Sequence, residues 1–136
     1  MRSFRGALTA AAGVAVLVVA TGIAGVSAQN EWKAPPEAKN LKNPQPPSPT
    51  SIANGKKLVE VNCVGCHGPK GKGDGPAAAA LPPPKPADWT SQRVSAETDG
   101  ELFWKISNGR GAMPPFKHLP GKDRWDLVNY IRSLQK

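Results

Sequence analysis

Residues 61–71 read VNCVGCHGPKG, a stretch that holds both cysteines of the chain, Cys63 and Cys66, with His67 directly after the second. Two thiols and an imidazole this close can make a metal site, a redox disulfide or an anchor for something larger. A structural zinc site needs four ligands, usually paired Cys or Cys plus His at set spacings. The chain has two cysteines in all, and its other histidine, His118, lies far downstream. A thioredoxin-like dithiol opens a helix inside a βαβ unit. No stretch before Cys63 alternates as a strand should.

The third reading is covalent haem. Two thiols spaced in this way at a helix end can each form a thioether with one vinyl group of the same porphyrin. A histidine directly after the second thiol then reaches the iron, and this five-residue pattern is the c-type attachment signal. Attachment also consumes thiols that would oxidise outside the cytosol. The upstream sequence agrees with export. Residues 1–28 begin with Arg2 and Arg5, continue through the apolar run GVAVLVVATGIAGV and end on Val26-Ser27-Ala28. This is the layout of a Sec-type signal peptide cut after Ala28. Its arginines are not adjacent, as a twin-arginine signal requires. The alternative is an uncleaved anchor, for which Ala7–Val26 is just long enough. Cleavage removes two of 18 basic residues and none of ten acidic ones, taking the net charge from +8 to +6 (16 − 10). That excess suits docking onto acidic protein surfaces. Nucleic acid is a poor partner, because the basic residues are scattered and export separates the two.

Residues 29–50 hold six prolines and little apolar content. Each proline removes a donor and restricts its neighbour, so the segment reads as a Pro-rich linker or disordered tether. The folded part is residues 51–136, all-α, with three helices expected at 51–62, 95–108 and 122–135. The first places Ile52, Leu58, Val59 and Val61 around Gly55. The second places Leu102, Phe103 and Ile106 on one side and stops at Gly109. The third repeats Leu127, Val128, Ile131 and Leu134, flanked by Trp125 and Tyr130. Long loops between them (GKGDGPAAAA, PPPKP) imply that something other than side chains fills the centre. Without haem the polypeptide is expected to be largely unfolded, since so small a domain has a thin core.

A second axial ligand comes from downstream. Apart from the initiator, the chain has one methionine, Met113, in SNGRGAMPPF, 46 residues after His67 (113 − 67). The glycines allow close approach to a ring and the prolines stiffen the segment. Core filling is the ordinary role of a lone methionine, but no helical stripe includes this one. His118 reads as a surface residue, with bis-histidine ligation as the alternative. Thioether sulfur favours ferrous iron and raises the potential relative to His/His ligation.

With these ligands in place, the chain resembles class I cytochrome c, the small monohaem electron carriers. The likeness runs from Ser51 to Leu134 through NGKKLVEVNCVGCHGPKG, GDGPA, ISNGRGAMPPF and WDLVNYIRSL. In overall pattern the chain is also similar to monohaem subunits and domains of bacterial respiratory complexes. The resemblance implies a small cytochrome c fold around one covalently bound haem c. It implies that Gly55 meets Tyr130 where the first and last helices cross. It implies that the Pro76 carbonyl accepts the Nδ1 proton of His67, and that Asn108 steadies the sulfur or a propionate. Arg110, Trp104 and Lys105 are further propionate candidates, although Trp104 and Trp125 can equally be packing residues. Val59 departs from the pattern, since many members carry an aromatic there. The function implied is single-electron transfer between redox partner proteins, in the periplasm or at the membrane surface, with no bond of a substrate made or broken. The alternatives are a fixed haem subunit of a membrane respiratory complex, and a haem enzyme or gas sensor with a vacant sixth position.

Overall fold

A computed structural model describes residues 31–135. The leader expected at 1–28 lies outside them. Among the described residues there are five α-helices and no strands. No helix in this range is long and apolar enough to cross a membrane.

Helix α1 spans Pro49–Asn62. Ser48 caps it by accepting the Ser51 N–H at 3.1 Å, and Pro49 pre-sets the backbone dihedral of the first turn. The helix therefore starts two residues earlier than expected. It breaks at Cys63, and the one-turn helix α2, Val64–His67, follows at once. The expected second helix, 95–108, begins four residues later (99 − 95), after a separate short helix. This short α3, Gln92–Ser95, is followed by α4, Asp99–Asn108. The later start falls where Thr98 and Glu101 form a reciprocal capping box, which satisfies free N–H groups that a continuous helix would have bonded internally. Helix α4 ends at Gly109, whose φ of 62° suits glycine alone. Helix α5, Gly121–Ser133, carries the main core stripe: Trp125, Leu127, Val128, Tyr130 and Ile131 are all buried.

The crossing of α1 over α5 sets the frame. At Gly55 the helices approach so closely that a Cβ would fall 2.7 Å from the Asp126 carbonyl carbon and 2.8 Å from the Tyr130 Cβ. Val59, one turn on, is buried in the same core, so the crossing is made with an aliphatic residue at that position. Beside it lies a buried polar cluster. Asn54 and Lys122 donate to Asp126 Oδ2 at 2.8 and 2.7 Å, and Asn129 donates to Ser51 Oγ at 2.6 Å.

The proline-rich segment is not a tether over its described part. Residues 31–48 lie on the domain, with a 3-10 turn at Pro36–Asn40 packed on α4. Ala34 and Ala38 are buried, and Gly100 lets the arm close in, since a Cβ there would overlap the Ala38 carbonyl and stand 2.8 Å from the Leu41 Cβ. Asn43 donates to Asn129 Oδ1 at 2.8 Å, and Asn129 donates to the Gln45 carbonyl at 3.2 Å. Proline forbids a ladder or a long helix but not docking by small side chains. The boundary placed at residue 50 thus falls inside α1, and the arm belongs to the folded unit.

Candidate cofactor site

The break between α1 and α2 presents the two cysteines. Cys63 closes α1, its N–H reaching the Val59 carbonyl, and its own carbonyl accepts from Cys66 and His67 at 3.2 and 2.9 Å. Both thiols are free and half-buried. Burial, and then the neighbouring Cys66, push the Cys63 thiol up to about 11. A redox dithiol requires the opposite, a thiol shifted down toward neutral pH. Among the described residues there is also no βαβ unit in which a thioredoxin-like dithiol would open a helix.

His67 ends α2 and is buried. Its Nδ1 lies 3.2 Å from the Ala87 carbonyl, and its ring stacks on Trp89 with centroids 4.5 Å apart. A carbonyl can only accept, so Nδ1 carries the proton and Nε2 keeps its lone pair. Burial lowers the His67 pKa below the ordinary histidine value, partly offset by the Ala87 bond. The ring is therefore neutral at pH 7, the state in which imidazole binds a metal. This corrects the expectation for Pro76. Pro76 is exposed, and the acceptor is eleven residues further on (87 − 76). The GDGP loop instead serves α2: Gly73, Gly75 and Ala77 donate to the carbonyls of His67, Cys66 and Gly65. Trp89 then draws the next loop inward. It is buried, and its N–H bonds the Gly71 carbonyl at 2.7 Å.

Met113 stands in the loop after α4. Arg110 and Met113 exchange both backbone hydrogen bonds, at 2.9 and 3.0 Å, and the Phe116 N–H ties the loop's far end to the Ile106 carbonyl. One cavity of about 590 Å³ is lined by Cys63, Cys66, His67 and Met113 together. Its walls include Val59, Leu102, Ile106, Phe116, Leu127 and Ile131, and Arg110 and Lys105 reach it as well. The remaining candidates lie elsewhere. His118 is exposed and off the cavity wall, near Phe116. Asn108 donates to the carbonyl of Trp104 in its own helix at 2.8 Å, and neither residue lines the cavity. That leaves Trp104 with no placement at the site. Gly55 and Tyr130 belong to the helix crossing.

Lining residues that were not anticipated include Ala87, Trp89, Trp32 and Glu97. Ala87 acts through its backbone, which leaves no trace in a side-chain pattern. Trp32 was hidden in a segment read as unstructured. The Lys105 ammonium is buried and paired with Glu97 at 2.6 Å, and it lies 5.4 Å from the Trp32 ring centroid.

The donor set fits a large, flat, apolar group held by thiols and ligated by nitrogen and sulfur. The cavity lies within the range of about 300–1,000 Å³ usual for ligand pockets. Fold and site together define a small helical carrier of a covalently attached redox group. The family model for cytochrome c matches residues 52–135, and the chain belongs to the cytochrome c family. Members of this family carry covalently bound haem c and transfer electrons, and the chain is read in those terms. Among solved structures it is similar to a chain of the Kuenenia stuttgartiensis reducing HAO-like protein complex Kustc0457/Kustc0458. The identity is 30%, the TM-score 0.62, and the match covers 71% of this chain and 50% of that one. The present chain thus spans about half the length of that neighbour. The fold is also that of the KustC0563 c-type cytochrome, at 24% identity and TM-score 0.51, covering 60% of this chain and 98% of the other. No curated protein sequence matches the chain.

Proposed function

We propose that the protein is a monohaem c-type cytochrome that passes single electrons between redox partner proteins outside the cytoplasm. The observation that carries this reading is the convergence of Cys63, Cys66, His67 and Met113 on one apolar cavity. Cys63 and Cys66 are the thioether positions, and His67 and Met113 are the axial ligands. Haem, when bound, supplies an iron that alternates between ferrous and ferric states. The chain's residues do the rest. Ala87 fixes the His67 tautomer and Trp89 holds the ring plane. The Arg110–Met113 turn restrains the thioether. The aliphatic wall excludes water, which limits reorganisation between the two charge states.

Export by the segment at 1–28 and docking through the remaining positive charge, +6 in formal terms (16 − 10), belong to the same proposal. Such docking is brief and salt-sensitive. The test is the full chain matured with haem: a single one-electron redox wave, with no carbon monoxide binding to the ferrous form. Carbon monoxide binding would assign a vacant sixth position and overturn electron transfer as the role.

One observation favours a second reading. The chain is similar to part of a chain from a protein complex, consistent with a haem subunit fixed within a larger redox assembly. Fractionation separates the two readings, since a carrier leaves with the soluble extract and a subunit stays with its complex.

A further inference from the structure

The arm at residues 31–48 brings Glu31 and Trp32 onto the wall of the cofactor cavity, beside Lys105 and Glu97. The Lys105–Glu97 pair is held at 2.6 Å with both side chains mostly buried, at 10% and 15% exposure. An ion pair in that position costs several kcal/mol of desolvation, roughly, unless its geometry and surroundings hold it in place. Two observations show what surrounds it on the arm side. The Trp32 ring sits 5.4 Å from the ammonium, a cation–π contact, and the arm behind it is locked by the Gly100 approach and the Asn43–Asn129 bond.

We propose that the arm is the outer wall of the cofactor cavity, with Trp32 as a positioning residue that seals the Lys105–Glu97 pair from water and so sets the reduction equilibrium of the group held there. The inference rests on the haem reading given above. The physical basis is burial. The oxidised centre carries one more positive charge than the reduced one, and low dielectric disfavours the more highly charged state. Closing the wall therefore favours the reduced form. Opening it admits water to the cavity and to the ion pair, and shifts the equilibrium toward the oxidised form.

The test uses the full haem-loaded chain and three variants. Trp32→Ala removes the seal. Trp32→Phe keeps an aromatic face over Lys105. Gly100→Ala drives a Cβ into the Ala38 carbonyl and lifts the arm while leaving every cavity-lining side chain intact. In the first and third variants the ferrous-to-ferric ratio at fixed ambient potential is expected to fall about tenfold, equivalent to about 59 mV for a one-electron couple. Trp32→Phe is expected to stay within about threefold of the parent. Amide exchange over residues 31–41 is expected to rise in Gly100→Ala, a readout independent of the haem. An unmoved midpoint in Trp32→Ala, or in a Gly100→Ala protein whose arm exchanges freely, overturns the inference and leaves the proposed function standing. A full chain that carries no thioether-linked haem overturns the proposed function itself.

Discussion

Substituting Gly55 by alanine tests the frame on which the cavity is built. On an open helix face the change is favourable, because alanine exceeds glycine in helix propensity by about 1 kcal/mol. Here the new Cβ falls 2.7 Å from the Asp126 carbonyl carbon and 2.8 Å from the Tyr130 Cβ. Carbon atoms prefer about 3.5–4.0 Å, so α1 and α5 must part by roughly 1 Å. Overpacking of this kind costs about 1–3 kcal/mol. Parting the helices also stretches the bond from Asn54 on α1 to the fully buried Asp126 on α5. Such a charge-assisted bond is worth about 1.5–3 kcal/mol. After subtracting the propensity gain, the net loss is about 3 kcal/mol. For a domain near this size that lowers the melting temperature by about 12 °C or more. The assay is thermal unfolding of the haem-loaded protein followed by far-UV circular dichroism. A melting point unchanged or raised in Gly55→Ala refutes the close crossing.

Met113→Leu keeps the apolar bulk in the cavity and removes the sulfur. The ferric protein is expected to lose its sulfur-to-iron charge-transfer band and its midpoint potential to fall, and retention of both assigns the ligand elsewhere. The capping box of α4 gives a pH dependence. The N–H of Thr98 donates to Glu101 at 2.7 Å and holds its carboxyl below the usual carboxylate range. The folded value lies below the unfolded one, so this stabilisation is complete above about pH 4.3 and is lost as pH falls through the folded value. In urea titrations between about pH 2 and 6, Glu101→Gln is expected to remove that acid step, and an identical pH profile contradicts it. Cys63→Ser/Cys66→Ser protein, unable to attach haem, is expected to lose cooperative unfolding, and a compact, sharply melting product contradicts the role of haem as the core.

The helices α1 and α5 were legible because most of their apolar residues recur at helical spacing and face one core, although Val61 of α1 is exposed. At Gly55 the spacing shows only a gap in one face of α1, and the close approach of Tyr130 was implied by the resemblance to class I cytochrome c. The start of α4 was not legible. The sequence placed it at residue 95, and only the structure shows Thr98 completing the box with Glu101 that starts the helix at Asp99. The arm was misread because proline content reports what a segment cannot hydrogen-bond, whereas its docking depends on Ala34, Ala38 and the bare face at Gly100. Cys63, Cys66, His67 and Met113 were visible as side chains of rare type. The His67 acceptor was not, because any residue can present a carbonyl. What selects Ala87 is the burial of Trp89 two residues later, a tertiary effect.

The central claim is that VNCVGCHGPKG anchors one haem by two covalent bonds. Mass spectrometry of the matured full chain, denatured and treated with a thiol alkylator, tests it most directly. The expected result is a chain one haem heavier, with the haem retained through denaturation and neither Cys63 nor Cys66 alkylated. A chain of unmodified mass with both thiols alkylated would contradict the account.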